Sequence, residues 1–207
     1  MISLYLSYIP LFNLDMARAI TGNGRYFIAL LGQNINKTLS ELYGQDIQFT
    51  IYGDTDSVYF SAWPAIQQEV ESGAMEWNKD ICIQLYDNIA EQVNDSFPGF
   101  MERACHCPRE MGAIIKGGRE LIAAKGLFIK KKRYAVLIYD LEGHRLDTHG
   151  KPGKVKAMGL DLKRSDTPKV VQDFLSDLLH DVLTGCTKEH VYEKVKAFKI
   201  EFQDRPA

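Results

Sequence analysis

The sequence predicts an α+β fold, an antiparallel sheet with flanking helices. Three observations predict it. Apolar residues recur at helical spacing over residues 13–43 and 75–97. Two short β-rich runs flank Gly53-Asp54-Thr55-Asp56, which is turn chemistry. Residues 120–140 read as strands on either side of a basic turn.

Each element follows in order. Asn13 or Asp15 can cap a helix that runs to Tyr43 through Ile20, Phe27, Leu31, Ile35 and Leu39, and Gly44 can stop it. Residues 47–52 and 57–61 form a tight hairpin, and Pro64 ends the second strand. A long helix runs from about Met75 to Phe97, with Ile81, Leu85, Ile89 and Val93 on one face. Leu121-Ile122-Ala123 and residues 134–139 flank the basic turn, and Gly143 marks a further turn. Residues 154–160 form another short strand. Pro168 opens a helix over residues 170–183. A last helix covers residues 188–202.

The bulk numbers narrow the class. Hydrophobic residues make up 45% of the 207 and charged residues 25%, which is ordinary for a globular protein. No apolar run is long enough to span a membrane. The opening MISLYLSYIP lacks a basic leader and a small-residue cleavage site, so no signal peptide is expected. Four cysteines without framework spacing point to a reduced, intracellular chain. Cys105-His106-Cys107 has no second pair to complete a metal site.

Charge is polarised along the chain. Residues 40–100 hold eleven Asp or Glu against Lys79 alone, whereas residues 101–169 hold sixteen Lys or Arg against eight acidic residues. A polyanion would be held by the second segment and repelled by the first, unless cations intervene. Two differently solvated surfaces would give the same pattern.

Asp54 and Asp56 sharpen the question. Side chains two apart on a strand point the same way, so both carboxylates can share one side of the hairpin tip. Like charges that close repel unless a cation joins them. Mg²⁺ suits such a pair, since it takes one or two carboxylates together with substrate phosphates. An exposed turn with two solvated aspartates is the alternative.

The flanking residues, Tyr52-Gly53-Asp54-Thr55-Asp56-Ser57, resemble motif C of family B DNA polymerases. Lys130-Lys131-Lys132-Arg133-Tyr134 resembles that family's downstream Lys-Lys-(Lys or Arg)-Tyr element, in an arrangement like that of its T-even phage members. Residues 156–161 (KAMGLD) and 163–168 (KRSDTP) resemble the passage from palm to thumb. The resemblance covers roughly residues 14–202. It implies that residues 1–166 are a partial palm domain and 167–207 the start of a thumb.

The same resemblance implies the roles. Asp56 would be the principal ligand and Asp54 the supporting ligand of two Mg²⁺ ions, shared with a carboxylate not in this chain. Tyr52 and Thr55 would adjoin the incoming nucleotide. Lys131, Lys132, Arg133 and Tyr134 would line DNA near the primer end. Gly159 would mark a close backbone approach to DNA or sheet, and Lys163 and Arg164 would contact phosphates. Template-directed nucleotidyl transfer from deoxynucleoside triphosphates to a primer 3′ end on primer-template DNA is the implied activity.

The family's exonuclease domain, fingers helix and second palm aspartate are not found in the sequence. Ser3 to Ser7 (SLYLS) lacks the aspartate and proline of that second palm motif and sits in the wrong place for it. The expectation is therefore a palm piece of a split or truncated polymerase, inactive alone. A second polymerase chain would carry the rest, in the cytoplasm of the host cell if the source is viral. A non-catalytic DNA-binding remnant is the alternative.

Overall fold

The computed structural model of the protein describes residues 13–54, 56–114, 116–148 and 150–203. The opening MISLYLSYIP, with its SLYLS segment, lies outside them. Helix α1 spans Leu14–Tyr43, and Asn13 caps it by accepting bonds from the Asp15 and Met16 amides. Gly44 closes it in a left-handed conformation. Strands β1 (Thr50–Asp54) and β2 (Ser57–Phe60) form an antiparallel hairpin. Helix α2 covers Trp63–Glu71, α3 Lys79–Cys105 and α4 Arg109–Gly112. Strands β3 (Leu121–Lys130), β4 (Arg133–Leu141), β5 (His144–Arg145) and β6 (Lys154–Met158) follow. A 3₁₀ turn at Asp161–Lys163 leads into α5 (Lys169–Thr184) and α6 (Lys188–Gln203). The fold is α+β, as the sequence predicts, and its strand pairs are antiparallel.

The chain divides into two compact units. One holds residues 13–78 and 91–116, the other residues 79–90 and 117–203. Helix α3 therefore contributes its first turns to the second unit and the remainder to the first.

In the first unit, α1 packs on the β1–β2 hairpin. Ile35, Leu39, Phe49, Ile66, Val93 and Phe97 are buried there. Phe27 stacks on Phe97 with ring centroids 6.3 Å apart. Asn34 is buried, and its amide donates to Ser96 Oγ at 2.7 Å, which satisfies a polar group that would otherwise be costly to cover. The first half of α1 leaves Met16, Ile20 and Tyr26 exposed.

In the second unit β4 is central. It pairs with β3 on one side and with β5 and β6 on the other. Every residue from Tyr134 to Asp140 is buried. Alternate residues face opposite ways, so β4 is covered on both faces. Ala135 and Leu137 pack with Leu183 and Leu179 of α5 and with Val155 and Ala157 of β6.

The structure corrects several sequence boundaries. Pro64 does not simply end a strand; it lies in the first turn of α2, where its missing N–H costs nothing. Helix α3 does not stop at Phe97 but runs through Pro98 to Cys105. The apolar row Val93, Phe97 and Met101 continues past the proline, and burial of that row offsets one lost backbone bond. Helix α3 also begins at Lys79 and not Met75, because Gly73 turns the chain and Trp77 packs on Trp63. Strand β1 begins at Thr50 instead of Ile47, and the Phe49 amide just before it donates to Asn36 of α1.

Candidate functional site

The acidic hairpin is held from its base. Asn36 of α1 accepts from the Phe49 and Thr50 amides through Oδ1 at 2.9 Å each, and its Nδ2 donates to Thr50 Oγ1 at 3.0 Å. The Ser61 amide donates to the Phe49 carbonyl at 2.9 Å. One asparagine thus fixes the chain where β1 starts, and β1 in turn carries the tip. Nothing in the periodicity of α1 distinguishes Asn36 from a surface residue, and it was not anticipated. Near the tip, an added Cβ at Gly53 would lie 3.6 Å from Ile28, so α1 backs the hairpin there too.

Asp54 is the last residue of β1 and faces Ser57 across the ladder. Asp56 lies in the turn, exposed, while Asp54 is half-buried. The strand alternation expected to align the two carboxylates therefore does not reach Asp56. They share the tip because the turn is short: Asp54 and Ser57 already pair, with only residues 55 and 56 between them. Tyr52 packs its ring against Tyr59 at 6.0 Å between centroids. Thr55 lies outside the described residues.

These two carboxylates are hard oxygen donors, at least one of them open to solvent. That donor set fits a divalent cation that completes its shell with phosphate and water. Among the described residues no three His, Cys, Asp or Glu side chains gather as a metal cluster.

The second unit carries the basic hairpin. Lys130 ends β3 and faces Arg133, which begins β4, so Lys131 and Lys132 form a two-residue turn. Residues 130 to 133 are all exposed. Lys132 adopts φ 61°, unusual for a residue with a side chain. Four adjacent cationic side chains thus concentrate positive charge at one tip. Tyr134 departs from its expected setting. It is 5% exposed and stacks on Phe128 at 5.7 Å, so its ring braces the hairpin from within.

Arg119 stands at the foot of this hairpin. Its guanidinium bonds both Asp87 of α3 and Asp140 of β4, and the Asp140 carboxylate also accepts from the Gly143 amide at 3.1 Å. Burial lowers the pKa of Arg119, but the bonds to the two carboxylates outweigh it and hold the value above the usual one. Asp140 is 1% exposed, and a buried carboxylate of this kind needs such a partner.

Gly159 follows β6 with φ 62°. It approaches the backbone of the basic turn, where an added Cβ would overlap the carbonyl of Lys132. Arg164 is exposed and already bonded to Asp166, at 2.9 Å through Nε and 2.6 Å through Nη2. That bond raises the pKa of the guanidinium and lowers that of the Asp166 carboxyl. Lys163 closes the 3₁₀ turn. No helix among the described residues is long and apolar enough to cross a membrane.

An α+β chain with an aspartate pair at one hairpin tip and a lysine-arginine cluster at another carries, on two hairpins, the residues in which its resemblance to family B polymerases lies. Comparison with known proteins supplies the particular relatives. The chain is 31% identical over 182 residues to the DNA-directed DNA polymerase of Escherichia phage RB69, covering 83% of this chain and 20% of that protein. It is 28% identical over 204 residues to the DNA-directed DNA polymerase of Enterobacteria phage T4, covering 93% of this chain and 22% of that one. No family model matches. Over most of its length, then, the chain is homologous to T-even-type phage DNA polymerases and corresponds to part of a polymerase of that type. It spans about a fifth of the length of these relatives.

Proposed function

We propose that this chain supplies part of the palm, residues 1–166, and the start of the thumb, residues 167–207, of a DNA-directed DNA polymerase. The observation that carries the proposal is the hairpin tip. A segment homologous to phage polymerases places Asp54 opposite Ser57 and Asp56 in the turn between them.

Asp56 and Asp54 would hold Mg²⁺, with a further carboxylate from outside this chain. The metal would supply charge stabilisation for phosphoryl transfer. The chain's own residues orient and bind. Asn36 sets the hairpin. Tyr52 and Thr55 adjoin the incoming nucleotide. Lys131, Lys132 and Arg133 grip primer-template phosphates, with Tyr134 bracing them from behind. Lys163 and Arg164 offer further phosphate contacts, and Arg164 would exchange Asp166 for phosphate. Exonuclease, fingers and the remaining carboxylate come from a second polymerase chain, and the chain alone is inactive because positioning supplies most of this catalysis.

The test is a chimera. The matching segment of the RB69 polymerase is replaced by this chain, and primer extension is measured with Mg²⁺. Extension is expected, and Asp56→Asn should abolish it without unfolding the protein. A folded chimera that binds primed duplex but does not extend it would favour a non-catalytic DNA-binding remnant.

A further inference from the structure

We infer that Gly159 is a positioning residue for the basic hairpin, acting on nucleic acid only through the turn that carries Lys131, Lys132 and Arg133. The inference rests on the proposed DNA-binding role of residues 130–133.

Strand β6 pairs with β4 as far as Met158 opposite Tyr134. The next residue, Gly159, therefore arrives beside the turn itself. A Cβ added there would overlap the Lys132 carbonyl oxygen and come within 3.1 Å of its carbon and 3.3 Å of Arg133 Cγ. The neighbours are mainly backbone, so no side-chain rotation could relieve the overlap. Both facing residues also hold left-handed backbones, φ 62° at Gly159 and φ 61° at Lys132. Without its side chain, Gly159 lets the turn fold down against the end of β6. That contact sets the direction in which Lys131, Lys132 and Arg133 leave the sheet. With any larger residue the tip lifts, and its cations no longer meet the phosphates together.

The same sheet supplies a matched control. Gly153 precedes the other end of β6, with φ 126°, and a Cβ there would overlap the Ile138 carbonyl. Gly153→Ala and Gly159→Ala thus introduce the same kind of backbone clash, but only the second lies at the basic turn.

The experiment measures binding of the full chain to a primed DNA duplex across a salt titration, alongside thermal melting. Both variants should melt lower than the native chain. Only Gly159→Ala should bind more weakly, by about tenfold at low salt, with a salt slope shallower by about one to two phosphate contacts. Equal losses in both variants, or an unchanged slope in Gly159→Ala, would overturn the inference. If the native chain itself fails to bind duplex, the DNA-binding role of residues 130–133 falls and the inference falls with it, a failure distinct from one seen only in the variants. Should Gly159→Ala not fold, Gly159→Asn tolerates the left-handed backbone while keeping the clash, and should bind as weakly as expected for alanine. In the native chain, nuclear Overhauser contacts between the Gly159 α-protons and the Arg133 side chain are expected, and their absence also overturns the contact.

Discussion

Asp147 shows how strongly single carboxylates are committed in the second unit. Arg145 donates to it at 2.8 and 3.0 Å, and Lys79 adds a third bond. The Arg145 bonds, ahead of Lys79, hold its carboxyl well below the usual carboxylate range. A depressed folded-state pKa contributes stability that is fully present above the ordinary value, about 3.9. That stability is lost as pH falls from there through the depressed value. Melting temperature should therefore drop as pH is lowered from about 4, and Asp147→Asn should start lower at pH 7 and decline less over the same acid range. Arg119 makes a second residue-scale case. Arg119→Met would leave Asp140 buried with little compensation, so a loss of about 3–5 kcal/mol is expected in denaturant unfolding. Replacing both partners by apolar residues should cost less. The sequence exposed the ionic residues but not their pairings, because Arg119, Asp87 and Asp140 meet only through tertiary folding.

Elements were more legible than contacts. Helix α1, both hairpins, the strand after the second hairpin and the last two helices all follow from periodicity, caps and turn residues. What escaped was decided by packing. The buried row through Met101 carries α3 across Pro98. Helix α2 hides behind a Trp-Pro pair that also reads as a strand end. The register of β1 is set by a side chain thirteen residues away from Phe49. For that reason Asn36→Ala is expected to cost about 1–3 kcal/mol, by orphaning two amides at the foot of the hairpin. Amide hydrogen exchange should show faster opening of residues 50–60 in that variant than in the native chain, with β3 and β4 unchanged. Of the candidate site, the aspartate pair and the basic turn were readable as motifs. The inward stacking of Tyr134 and the seating of Gly159 on Lys132 were not, since each depends on which face the strand turns to its neighbour.

At the scale of the whole molecule, the polarised charge acquires a structural form. The first unit presents carboxylates at a hairpin tip, and the second presents cations at another. The chain is homologous to about a fifth of the length of the RB69 and T4 polymerases. Asp54 and Asp56 are proposed to bind a divalent cation in the presence of nucleic acid. The direct measurement is a Mn²⁺ titration of the isotopically labelled chain with a primer-template duplex and the complementary polymerase parts bound. Paramagnetic broadening centred on residues 52–57 and removed by Asp56→Asn is expected. Broadening absent from that hairpin, or unchanged in the variant, would contradict it.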